Sequence, residues 1–316
     1  MRIENHEYAF SKLEIQILRE LTKGKLSLSE IKKPLLLKPA LLSYNLKKLL
    51  KKGLIQTTEQ GNRKYAFFSE TKHASLLRDL LIYYDYMDWE NILTGKTIEI
   101  LFQTLTTKED NLSNFSKATL WRYLKELKAR GIITQTEKKH QINPCFSILI
   151  DFLNEYQRYF ANKLSKDLSE NSVILWQEDM EFLVRAPKNV KPPAKDFHET
   201  ATSIFPQYGL PLFTEFDIFL YSTNKKTIKP EDATLHTLLI EPTNARYTTY
   251  ALLLLKKTEK QIDKTYLLQE AERLGLKNQI ISMLQFLETH TRPQGQPLPT
   301  WNEFIIKAKD YEVMTE

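Results

Sequence analysis

The sequence predicts a mainly α-helical chain that turns to an α+β arrangement in its last part. Three observations carry that expectation. Only eight glycines occur among 316 residues, too few for a loop-rich all-β scaffold or a Gly-rich phosphate cradle, both of which need many positions at positive φ. A helical segment recurs, Leu37–Ile55 returning as Phe115–Ile133. From Val173 onward the helical spacing of apolar residues gives way to short apolar runs.

Length and composition set the frame. A chain of 316 residues exceeds one ordinary domain, and 42% hydrophobic, 27% charged and 11% aromatic residues describe a chain that folds. No basic-then-apolar leader and no membrane-spanning apolar run is legible, so a cytoplasmic protein is expected. A single cysteine, Cys145, excludes an internal disulfide and a Cys-rich zinc site and is expected to be structural. Charge divides unevenly: residues 1–150 hold 25 Lys and Arg against 16 Asp and Glu, a balance of +9, whereas residues 151–316 hold 20 against 23, a balance of −3. The basic half is the one expected to meet an anionic partner.

The elements follow in order. Leu13, Ile17, Leu18 and Leu21 mark a first helix, and Ser27 to Glu30 has capping-box spacing that starts a second. A third helix follows over 38–52, its apolar face Leu42, Leu46 and Leu49, ending at Gly53, which suits a left-handed C-terminal cap. Leu54 to Thr58 and Lys64 to Phe68 then flank a turn supplied by Gly61 and Asn62, a hairpin. The repeat brings the same parts: Ile98, Leu101, Phe102 and Leu105 for a first helix, Leu120, Leu124 and Leu127 for a long helix over 116–130, Gly131 as its stop, and Ile132 to Thr136 with Gln141 to Asn143 around a tip at Glu137 to His140. The second copy has no clear middle helix, only Thr107 to Phe115. Between the copies, Ser69 to Leu93 carries the stripe Leu76, Leu77, Leu80, Leu81 and Tyr84. After them Phe146, Leu149, Leu153, Tyr156, Phe160 and Leu164 recur over about six turns, a spine packed by the next domain or a homodimer seam through 146–164. The C-terminal part is expected to hold strands at Val173 to Trp176, Glu181 to Val184, Leu212 to Thr214 and Phe216 to Tyr221, with helices near 195–205, 231–240, 245–257, 265–274, 277–289 and 300–310. The division expected is 1–69, a linker 70–93, 94–145, a connecting helix 146–169, and an α+β domain 170–316.

Helix, helix, helix, hairpin, with Leu46 to Ile55 as its most telling stretch, resembles the winged helix-turn-helix of MarR and ArsR regulators. The resemblance covers about 8–68 and 94–143 and implies that the third helix of each copy enters a DNA major groove. With the leucines turned inward, the outward faces would present Ala40, Ser43, Tyr44 and Lys47 in the first copy and Lys117, Ala118, Trp121, Arg122 and Lys125 in the second. Arg122 has the planar fork that pairs with guanine O6 and N7; Tyr44 and Trp121 offer apolar contact to thymine methyls. Arg63 and Lys64, with Lys138 and Lys139, would lie along the backbone or minor groove as wings. Read structurally, Lys47, Lys48, Lys51 and Lys52 would be a solvated face and Trp121 would pack on the neighbouring linker.

Glu231 to Pro242 and Pro299 to Phe304 look like the C-terminal module of archaeal helix-turn-helix regulators and, more distantly, of abortive-infection antitoxins. That likeness spans about 170–312 and implies repression or autoregulation, with a module that contacts a protein partner or a second DNA segment. No phosphate loop, His or Cys pair, or convergent acidic–basic site is expected here. Glu231, Asp232 and His236 lie within helical reach, more often an acidic helix start with a half-buried histidine than a metal site. The sequence thus points to a non-enzymatic regulator binding double-stranded DNA, without cofactor or metal. The alternatives are an antitoxin-like adaptor whose DNA binding autoregulates, and a nucleic-acid-processing enzyme.

Overall fold

A computed structural model describes residues 8–106, 115–136, 139–212, 214–295 and 297–314. The chain divides into two compact units, residues 1–160 and 161–316.

The first unit opens with α1 (Lys12–Leu21), whose N-terminus is closed by a reciprocal capping box between Ser11 and Glu14. A short strand β1 (Leu26–Ser27) leads into α2 (Leu28–Lys32), started by the capping box of Ser27 and Glu30. Then come α3 (Pro39–Lys51) and the hairpin β2 (Ile55–Gln60) and β3 (Arg63–Phe68). The hairpin is longer and its turn tighter than the sequence suggests: Gln60 pairs with Arg63, which leaves only Gly61 and Asn62 between the strands. All three strands are antiparallel, in the order β1-β3-β2. β1 is too short to carry a periodicity, so the sequence does not announce it. Ile15, Ile17, Leu18, Leu42, Leu46, Leu49 and Leu54 form the core beneath.

The linker forms two helices, α4 (Lys72–Tyr83) and α5 (Trp89–Ile92). Leu77, Leu80 and Leu81 are buried and Leu76 and Tyr84 half-buried. The repeat supplies α6 (Gly95–Thr106), α7 (Lys117–Ala129) and the hairpin β4 (Ile133–Thr136) and β5 (Lys139–Ile142), with Ile133 paired to Ile142; Lys139 and His140, expected in the tip, instead pair with Thr136 and Gln135, and Asn143 lies past the strand. The stretch expected to join α6 to α7 falls largely on residues 107–114, outside the described residues. Ile98, Leu101 and Phe102 are buried in α6, Leu105 half-buried.

A long helix, α8 (Ser147–Leu168), follows a 3-10 turn at Pro144–Phe146. Every residue of the expected stripe from Phe146 to Leu164 is buried. Tyr156 stacks on Phe10 at 5.6 Å and donates its hydroxyl to the Tyr8 carbonyl at 3.0 Å, while Phe160 meets Tyr8 edge-on. These contacts amend the expectation: as far as Phe160 the stripe packs on residues that precede it, Tyr8 and Phe10. Cys145 is a second correction. It is exposed, because the 3-10 turn lifts it off the core that takes Phe146.

The second unit contains a four-stranded antiparallel sheet in the order β6-β7-β9-β8: β6 (Val173–Glu178), β7 (Glu181–Pro187), β8 (Phe197–Glu199) and β9 (Phe216–Tyr221). The helix expected near 195–205 is instead β8 followed by a 3-10 helix, Ala201–Tyr208. Phe197 and Glu199 register against Tyr221 and Phe219, so sheet pairing overrides the local helical spacing. No strand forms at Leu212 or Thr214; β8 is the neighbour that β9 takes. Helices α9 (Pro230–Ile240), α10 (Ala245–Lys257), α11 (Lys264–Arg273), α12 (Lys277–Thr289) and α13 (Trp301–Asp310) complete the unit. In α9 every residue from Glu231 to Leu239 is buried, as befits a helix enclosed on all sides. No helix among the described residues is long and apolar enough to cross a membrane.

Candidate nucleic-acid interface

The outward face of α3 is built by what its inward face buries. Leu42, Leu46 and Leu49 are 2, 4 and 0% exposed, and Asn45 joins them, its amide donating to the Leu41 carbonyl at 2.8 Å. The 100° step then sends Ala40, Ser43, Tyr44 and Lys47 to solvent, and all four are exposed. Tyr44 lies under the Lys48 ammonium at 4.8 Å, which holds its ring at the surface. Arg63 and Lys64 are exposed on β3 beside the turn. The Ser27 hydroxyl and backbone N–H, with the Arg63 charge nearby, hold the Glu30 carboxyl below its usual range.

The corresponding face of α7 places Lys117, Ala118, Trp121, Arg122 and Lys125 in solvent. Trp121 is 64% exposed, so it does not pack on the linker. The Lys125 ammonium stands 5.0 Å from its ring centre, repeating the aromatic–lysine pairing of α3 at the same i,i+4 spacing. Arg122 lies 5.1 Å over Tyr123, its carbon at the fork centre. Lys139 is exposed on β5, and Lys138 lies outside the described residues.

The two helices differ in their cover. Leu42 is buried in α3, on which α1 and α2 pack, whereas the matching Leu120 is only half-buried and with Leu124 floors a groove, open among the described residues, of about 520 Å³ rimmed by Lys117, Lys125 and Lys128. Among the described residues no helix stands between α6 and α7.

One lysine of the expected solvated face is no such thing. Lys52 is 5% exposed, bound to the Glu14 carboxylate at 2.6 Å and placed 5.2 Å over the Phe10 ring. The pair ties the end of α3 to the start of α1. Its signal in the sequence is faint, because the partners are 38 positions apart and Glu14 also reads as a capping residue. His73, buried, bonds the Lys52 carbonyl at 3.0 Å; burial holds its pKa down, against the pull of that bond and of Glu155. Sequence reasoning also missed Leu36, in the turn before α3, which is 92% exposed.

The second unit contains the convergent acidic–basic cluster that the sequence does not lead one to expect. The Lys225 ammonium donates to Asp232 at 2.7 Å, to the Tyr266 hydroxyl at 2.6 Å and to Glu270 at 3.2 Å, and Arg273 bridges Glu270 and Glu181, both at 3.1 Å. Burial works against these charges, but the ion pairs prevail: Lys225 is pushed above the ordinary lysine range and Asp232 below the ordinary carboxylate range. Three elements, β7, α9 and α11, and the loop that carries Lys225 contribute, which is why no local motif exists. The metal trio does not assemble. Glu231 accepts from the Asp263 N–H at 2.6 Å, Asp232 serves the cluster, and His236 pairs with the Thr200 hydroxyl at 2.6 Å. Among the described residues no group of three could hold a metal.

Three helices packed beside a three-stranded antiparallel sheet, with the last helix turned outward, define residues 8–68 as a winged helix. Comparison with known families agrees: residues 10–74 match the winged helix DNA-binding domain, and residues 194–313 match a family described as a C-terminal domain. No curated protein and no solved structure matches the chain. The chain therefore carries a winged helix DNA-binding domain near its N-terminus, followed by a C-terminal domain of a recognised family.

Proposed function

We propose that this protein is a non-enzymatic, sequence-specific regulator of transcription that reads duplex DNA with two unlike helices, α3 of the winged helix domain and α7 of a second winged-helix unit over 94–145. The observation that carries this reading is the matched exposure of Ala40, Ser43, Tyr44 and Lys47 with Ala118, Trp121, Arg122 and Lys125, inside a half-chain of +9 charge. In the major groove the helix N-terminal residues meet base edges, and Arg63, Lys64 and Lys139 lie near phosphates. Binding that covers a promoter suffices to repress, and repression is the direction proposed. The C-terminal half, at −3, is unsuited to following a phosphate backbone and is assigned to a protein partner. Its charged cluster is closed on itself, each cation meeting carboxylates, so it serves as a staple between β7, α9 and α11.

Titration of the full chain with a mixed-sequence duplex tests the reading. Log K should fall with log salt by several units, as when several phosphates are neutralised. Arg122→Ala should cost about 1–3 kcal/mol at one base position and leave others unchanged. Salt-independent binding, or none at low salt, would exclude the proposal.

A further inference from the structure

The turn between α2 and α3 holds the most exposed large apolar side chain among the described residues. Leu36 is 92% exposed and its backbone sits at φ +51°. Its N–H donates to the Lys33 carbonyl at 3.4 Å and the Leu37 N–H to that of Lys32 at 3.2 Å, so the left-handed residue closes the end of α2. Glycine or asparagine adopts that conformation readily, whereas a leucine is strained there. The side chain repays none of this within the chain, since it lies in solvent. Strain combined with a fully exposed apolar group points to a contact outside the protein.

The surroundings identify the occupant. Ala40 and Tyr44 on the first turns of α3 continue the apolar strip, Tyr44 57% exposed. Lys32, Lys33, Lys38 and Lys47 flank these residues along the chain, all exposed, and no carboxylate of the described residues forms an ion pair with them. An apolar strip flanked by such ammonium groups is complementary to a major groove in which phosphates flank thymine C5-methyl groups, the one apolar feature on base edges. We propose that Leu36 is a specificity residue that packs on a thymine methyl, so that the half-site of the first reader contains a thymine. This rests on α3 being a DNA reader.

The test uses the full chain and a duplex it selects from a random pool, with each thymine replaced singly by uracil, which deletes only the methyl. In the wild type at least one replacement should weaken binding about fourfold, the loss of one buried methyl-sized group. Leu36→Gly and Leu36→Asn should bind the thymine duplex as weakly as the wild type binds the uracil duplex, and be indifferent to that replacement. Their thermal midpoints should equal or exceed that of the wild type, because the strain is relieved. Wild-type indifference to every uracil, retention of the uracil effect in both variants, or lowered midpoints that reveal a structural leucine would each overturn the assignment. Failure to select any duplex would instead overturn the function on which it rests.

Discussion

At the scale of single residues, the chain shows how burial rather than residue type decides what a titratable group does. His236 lies inside α9, 2% exposed, and burial drives its pKa down to about 4; the attraction of Asp232 only partly opposes this. The folded state therefore prefers neutral imidazole, while the unfolded chain takes a proton near pH 6.5. A folded pKa below the unfolded one means that His236 supports folding fully above pH 6.5 and loses that support as pH falls toward 4. The window is worth about 3 kcal/mol. Urea unfolding should show a midpoint that declines from pH 6.5 to 5, before Asp232 and Glu270, whose pKa values are lowered, begin to protonate. His236→Gln should remove most of the decline that belongs to the second unit and leave the part due to His73, which is shifted in the same direction. An unchanged slope would show that His236 is not held neutral. Lys52 teaches the same lesson: identical in type to Lys47 and Lys51, it is an internal ion-pair partner because of where the helix ends.

At the scale of elements, the two proposed reader helices, α3 and α7, stop in the same way and are anchored differently. Gly53 and Gly131 both adopt the left-handed cap, at φ +67° and +72°, so an alanine in either place carries a backbone strain of roughly 1 kcal/mol. A methyl on Gly131 meets nothing within 4 Å, whereas one on Gly53 would come 2.2 Å from the Tyr159 hydroxyl. Tyr159 cannot simply swing away, since its ring lies 4.1 Å from that of His73. Gly53→Ala should therefore lower the thermal midpoint clearly more than Gly131→Ala, and Gly53→Ala with Tyr159→Phe should recover little, because the ring carbon at 2.3 Å remains. Equal losses for the two glycines would mean that α8 does not brace the first reader. That brace, with the Lys52–Glu14 pair, gives α3 a fixed seat; among the described residues α7 has an open groove beside it.

At the scale of the whole molecule, the proposed pair of dissimilar readers in one chain would change what a binding site looks like. A regulator with one reader must dimerise to cover two half-sites, and the twofold axis makes its site palindromic. In the proposed arrangement one chain holds both faces, and the stripe residues from Phe146 to Leu164 are buried. Footprinting at defined stoichiometry should show one chain protecting a non-palindromic element. A short perfect palindrome, with substitutions at Trp121 and Arg122 silent, would show that α7 serves packing alone. Much of this was legible in the chain itself. The repeat, the capping box at Ser27, the glycine stops, both hairpins and the outward positions Ala40, Tyr44, Lys47, Trp121 and Arg122 follow from helical periodicity and turn chemistry, which act over a few residues and so leave a local trace. What tertiary structure alone decided depends on pairs distant in sequence: β1 against β3, β8 against β9 in place of a helix, Lys52 against Glu14, and Lys225 drawn to Asp232, Tyr266 and Glu270. Strand pairing and the solvation of a charge are set by whichever surface the fold brings near, and no window of neighbouring residues contains that surface.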